Sequence, residues 1–96
     1  MTQYIIIAQD GKDDLALERR QKNRPLHLNG LKELKSRNNF VFGGAMLDDN
    51  GQMRGSVMIV QFETEEEFKQ WYSNEPYITE GVWKVIEVKH FKVAEV

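Results

Sequence analysis

Residues 40–62 read FVFGGAMLDDNGQMRGSVMIVQF, and this stretch decides the fold. Two apolar runs rich in β-branched and aromatic side chains, Phe40 to Leu47 and Met53 to Phe62, flank Asp48-Asp49-Asn50-Gly51. Asn-Gly between such runs is the strongest short-range hairpin signal, because a tight turn that matches strand twist needs positive φ. Two paired antiparallel strands are therefore expected. Gly43-Gly44 and Gly55-Ser56 fall on facing strands of the hairpin. Glycine weakens a strand, so such clusters mark either a bent sheet that needs small residues or a close backbone approach to something bound.

Upstream, Gln3 to Gln9 contains Tyr4-Ile5-Ile6-Ile7-Ala8 and reads as a strand ended by Asp10-Gly11. Asp13 and Asp14 stand where acidic groups favour a helix start. Leu17, Arg20, Arg24, His27 or Leu28, Leu31 and Leu34 then recur at spacings of three and four. They predict a helical segment from about Asp13 to Ser36. Pro25 must bend or split it, since proline lacks an amide proton and crowds the preceding turn. Downstream, Thr64 with Glu67 three residues on is a capping box, and Phe68, Trp71 and Tyr72 give the helix it opens a core face. Ser73-Asn74-Glu75-Pro76 stops that helix, and Val82 to Val93 is the last strand.

The order is β-α-β-β-α-β. It predicts an α+β, ferredoxin-like fold, a four-stranded antiparallel sheet with two helices on one face, as a single domain over residues 1–96. Several strands are apolar on both faces: Ile5 and Ile7 oppose Tyr4, Ile6 and Ala8, while Val57 and Ile59 oppose Met58, Val60 and Phe62. Two helices cover one face only. The other would expose a large apolar patch, so a homodimer packed sheet to sheet is expected.

Composition narrows the partners. A net charge of −2 argues against a nucleic-acid surface, which carries a basic excess. Zero cysteines exclude disulfides, thiolate nucleophiles and cysteine–zinc sites. The sequence shows neither a secretory leader pattern nor a run approaching the ~20 apolar residues that span a bilayer, so a cytoplasmic protein without membrane contact is expected. His27 and His90 with scattered acids give no metal-ligand spacing, and no phosphate-binding glycine loop is present. No cofactor is expected.

Among groups able to do chemistry, His27 comes first. Arg24 and Arg20 lie one and two turns behind it and Leu31 one turn ahead. If that face meets the sheet, an imidazole and two guanidiniums stand beside an apolar interior, poised for proton transfer and anion binding. The competing reading is a satisfied core histidine, or one bonded to a backbone carbonyl near the Pro25 break. Asp48, at a strand end, is open to two readings: a group that orients a histidine, or an ordinary turn former. Ser56 can donate a hydrogen bond to a ligand, although no activating base adjoins it in sequence.

Taken together these residues resemble the YCII-related family nearly end to end. The resemblance rests on Ala8-Gln9-Asp10 closing the first strand and on Arg20, Arg24-Pro25 and His27-Leu28 in the helix. It continues through Gly43-Gly44, Asp48, Gly55-Ser56, Glu75-Pro76-Tyr77, Gly81-Val82 and Val88-Lys89-His90-Phe91. It implies a ferredoxin-like subunit of a dimeric α+β barrel, with His27 and Asp48 as a suspected catalytic pair. Arg20, Arg24, Gly44, Ser56 and Tyr77 are then the expected ligand-binding set. The chain departs from the family where Gly44-Ala45 replaces Gly-Pro, Glu75 replaces an aspartate and His90 replaces a proline.

The wider superfamily is similar to muconolactone isomerases and to small dehalogenating or lyase-type enzymes. The resemblance thus points to a cofactor-independent acid–base enzyme for a small, aromatic or anionic metabolite. The alternative is a non-catalytic dimer that binds a small ligand or a partner chain. A purely structural dimer is the third reading.

Overall fold

The hairpin forms as its turn residues direct. A computed structural model describes residues 1–96, and in it β2 (Phe40–Leu47) and β3 (Met53–Phe62) pair antiparallel. The Asp48–Gln52 turn joins them, with Gly51 at φ 77°. β1 (Thr2–Asp10) lies beside β3, and β4 (Trp83–Phe91) lies beside β1, so the sheet order is β2-β3-β1-β4. This is the antiparallel ferredoxin-like arrangement.

Helix α1 (Ala16–Ser36) runs unbroken through Pro25, which settles the choice between two pieces and one. It begins three residues later than the acidic pair predicts. Asp13 instead bonds Arg19 (2.9 and 3.2 Å), and the guanidinium pulls its carboxyl pKa down to about 2. Thr64 caps α2 (Glu65–Asn74), its hydroxyl accepting from the Glu67 amide at 3.2 Å. A further one-turn helix, α3 (Pro76–Thr79), follows at once; its cap is Glu75, whose carboxylate accepts from the Tyr77 amide at 3.2 Å. The sequence pattern Ser73-Asn74-Glu75-Pro76 predicts the end of α2 but not this second start. β4 is shorter than expected by one residue at its start and two at its end.

Alternation along β1 turns Tyr4, Ile6, Ala8 and Asp10 toward the helices. There Tyr4, Ile6 and Ala8 pack with Met58, Val60 and Phe62 of β3, Leu34 of α1, Phe68 of α2, and Tyr77, Val82 and Trp83. Burying one such aliphatic side chain contributes about 1.5–3 kcal/mol. β3 approaches β1 closely at Gly55: a Cβ there would stand 2.6 Å from the Ala8 carbonyl oxygen, so only glycine fits. The opposite face carries Ile5, Ile7, Val57 and Ile59 at its centre, with Phe42 (54% exposed) and Val85 (62% exposed) toward the two edges. No helix covers it, and no helix is long and apolar enough to cross a membrane.

Candidate functional site

Helix α1 presents an unusual face to the sheet. Its buried residues are Ala16, Arg20, Asn23, His27 and Leu34, three of them polar. Buried polar groups must find partners or cost about 1–3 kcal/mol each, so their bonds locate the site.

Arg20 meets the inward-facing Asp10 at the end of β1, Nη1 lying 3.0 Å from both carboxylate oxygens. Its Nη2 donates to Ser56 Oγ on β3 at 2.9 Å. The same oxygen accepts the indole N–H of Trp83 at 3.2 Å. A register shift delivers that indole. Gln9 pairs with Val85 but Asp10 pairs with Trp83, so Lys84 is the extra residue that turns Trp83 to the helix side. Burial pushes the Asp10 carboxyl up, against the pull of the Arg20 guanidinium. Buried ion pairs add little net stability, yet losing one partner costs about 3–5 kcal/mol. The pair fixes where Arg20 points.

His27 stands seven residues beyond Arg20, two turns or about 10.5 Å along the helix. Tyr77 fills the gap between them. Its ring stacks on His27 with centroids 3.9 Å apart and 9° between planes, and the Arg20 guanidinium carbon lies 4.8 Å from the ring centre. His27 Nδ1 is bonded to Glu75 Oε1, and Glu75 is only 2% exposed. A carboxylate can only accept, so Nδ1 carries a proton, and Nε2 makes no hydrogen bond to protein. Trp83 closes the far side edge-on, 6.0 Å from the imidazole.

A cavity of about 170 Å³ opens above these groups, lined by Arg20, Arg24, His27, Gly43, Gly44, Ala45, Ser56 and Tyr77 with Leu28, Leu31, Met53 and Met58. A space of roughly 150 Å³ suffices for a benzene-sized ring. Gly44 borders the cavity with its backbone; it pairs with Val57, so a Cβ there would point to the uncovered face, where it would meet nothing within 4 Å. A wider hollow of about 650 Å³ along Gln9–Asp14, Met46 and Arg54 contains no histidine.

The fold therefore brings Arg20, Arg24, His27, Gly44, Ser56 and Tyr77 to one cavity. It does not bring Asp48 there. Asp48 accepts from the Asn50 and Gln52 amides (2.9 and 3.0 Å) and from Arg54 Nε (3.0 Å), which together hold its carboxyl below the usual range. It works as a turn residue, and the carboxylate on His27 is Glu75 instead. Sequence reasoning also missed Asp10 and Trp83. Asp10 had a usable signal, because it continues the inward alternation of Tyr4, Ile6 and Ala8.

Sheet order, helix placement and an enclosed histidine–carboxylate pair define a ferredoxin-like α+β protein with a small internal site. The chain belongs to the YCII-related family, whose domain model matches residues 2–92. It is 36% identical to protein YciI of Escherichia coli O6:H1 over 93% of this chain and 95% of that one. A Haemophilus influenzae protein is 37% identical over the same shares. Among solved structures it is similar to the 5-chloro-2-hydroxyhydroquinone dehydrochlorinase TftG from Burkholderia phenoliruptrix, in complex with 2,5-dihydroxybenzoquinone. That match has a TM-score of 0.81 and 26% identity, covering 96% of this chain and 95% of that one. A dimeric ferredoxin-like protein from an uncultured marine organism shares the fold, with a TM-score of 0.56 at 10% identity over 100% and 99% of the two chains.

Proposed function

We propose that this protein is a cytoplasmic, homodimeric acid–base enzyme that eliminates or shifts a proton on a single-ring hydroxylated substrate, without a cofactor. The observation that carries the reading is the His27–Glu75 pair at the wall of a ring-sized cavity. Nε2 takes a proton from an acidic O–H or C–H of the bound ring. The imidazolium returns that proton to a ring carbon, giving a keto tautomer; where that carbon bears a halide, loss of a further ring hydroxyl proton to Nε2 expels the halide anion. Glu75 holds the tautomer and balances the charge that His27 gains. Arg24, exposed at the cavity mouth, meets an incoming anionic oxygen. Similarity to a dehydrochlorinase across nearly the whole chain supports this chemistry.

The dimer follows from the uncovered apolar face with Phe42 and Val85, for which a second copy is the simplest cover. Its support among relatives is the dimeric ferredoxin-like neighbour.

Chloride release from 5-chloro-2-hydroxyhydroquinone tests the reading. His27→Asn is expected to lower turnover by about 10²–10⁴-fold, the usual contribution of a placed base. Turnover surviving within a few-fold would exclude His27 as the base. Binding of 2,5-dihydroxybenzoquinone with no turnover of any halogenated ring would favour the non-catalytic binding module.

A further inference from the structure

We infer that Ser56, with Tyr77 beside it, is the hydrogen-bond donor by which this cavity selects an oxyanion, the ionised form of a phenol or enol on the bound ring. The inference deepens the acid–base reading and rests on that cavity being the substrate site.

Proton accounting carries the argument. Ser56 is buried and its oxygen accepts from two groups that can only donate, the Arg20 guanidinium at 2.9 Å and the Trp83 indole at 3.2 Å. Both lone pairs are then engaged. The hydroxyl proton must point in the one remaining tetrahedral direction, and no protein atom accepts it there. Ser56 lines the cavity, so a ligand oxygen is the acceptor that completes it. Accepting from a cation also polarises the O–H bond and strengthens it as a donor.

Tyr77 makes the same demand independently. Its hydroxyl is buried without any partner, on a residue with no exposed surface. Burial and nearby carboxylates outweigh the two arginines and push the phenol up, so it remains protonated and able to donate. Arg20 Nε is a third buried donor left unpaired. The groups around the cavity thus offer protons and lack acceptors, apart from His27 Nε2. A ring bearing an anionic oxygen satisfies both: the oxyanion sits on the serine and tyrosine hydroxyls while the imidazole faces the atom that loses or gains a proton. Neutral ethers of the same ring leave the donors short of charge and bind less well.

The test uses 4-nitrophenol, whose absorption distinguishes phenol from phenolate, and 4-nitroanisole, the same ring with the ionisable hydroxyl methylated. At a pH where free 4-nitrophenol is mostly protonated, the wild-type protein is expected to bind it as phenolate, at least about tenfold tighter than the anisole. Tyr77→Phe removes a hydroxyl with no protein partner, so the fold is undisturbed, and Ser56→Ala removes the other donor. Each is expected to weaken phenolate binding by about 10–100-fold and to return bound probe toward the phenol form. Ser56→Thr, which keeps the hydroxyl, is expected to restore it.

Equal binding of the two probes by wild-type protein, or bound probe in the neutral form, overturns the inference with no variant needed. Phenolate binding untouched by Ser56→Ala in a folded protein removes Ser56 from the role. Failure of the acid–base reading shows elsewhere, as chloride release that ignores His27→Asn, and leaves the probe result standing.

Discussion

Changing Glu75 to glutamine removes one charge from the site while keeping its hydrogen bonds. Glu75 Oε1 accepts both from His27 Nδ1 and from the Tyr77 amide, 3.2 Å away. A glutamine carbonyl can occupy that position and accept both. Its NH₂ then takes the place of Oε2, which makes no bond to protein. The histidine tautomer and the α3 cap survive, and what disappears is the anion beside the imidazolium. A hydrogen bond to a charged partner is worth about 1.5–3 kcal/mol against about 0.5–1.5 for a neutral one. The Coulomb attraction at contact distance, near 4 kcal/mol at an effective dielectric of 20, is the upper bound. Turnover should therefore fall by about 10- to 1,000-fold in Glu75→Gln, with the melting temperature nearly unchanged.

Glu75→Ala gives the contrasting case. It leaves the His27 N–H and the Tyr77 N–H without an acceptor, at about 1–3 kcal/mol each. In a domain of this size each kcal/mol moves the midpoint by about 4–8 °C, so Glu75→Ala should melt at least ~10 °C lower. Initial rates of chloride release and thermal unfolding followed by circular dichroism read both effects. If Glu75→Gln turns over as fast as wild type, the charge of Glu75 is irrelevant to the reaction. If Glu75→Ala melts unchanged, the pair does not support the fold as described.

Two further outcomes follow from the same structure. Asp48 has its carboxyl depressed, first by the Gln52 amide and then by Arg54, so it favours the folded state above its ordinary value of 3.8, and that contribution is lost as pH falls through the lower folded value. Asp48→Asn should accordingly melt below wild type at neutral pH, with the gap closing in acid, while turnover stays within a few-fold; a hundredfold loss of turnover would return Asp48 to the His27 chemistry. Lysine at Phe42 and Val85, both exposed on the uncovered sheet face, should convert a dimer to a folded monomer in sedimentation velocity, and a wild-type protein that is monomeric at micromolar concentration would remove the proposed partner.

The elements were legible because each is set within a few residues. Asn50-Gly51 makes its turn through local dihedral preference, Thr64 caps α2 through the amide three residues on, and the alternation of β1 shows which side chains share a face. The same local logic placed Arg20, Arg24 and His27 on one stripe of α1. Which groups answer that stripe is a different matter. His27 finds Glu75 across 48 residues, and Arg20 finds Ser56 across 36. Those pairings depend on sheet order, on the rotation of α1 over the sheet, and on the extra residue at Lys84 that turns the Trp83 indole inward. Glu75 stands at a helix cap 48 residues from His27, so local pattern could not show that it, rather than Asp48, meets the imidazole. Sequence alone gave the frame and the histidine; only the assembled sheet and helices decided which carboxylate holds it and which hydroxyls are left to bind a ligand.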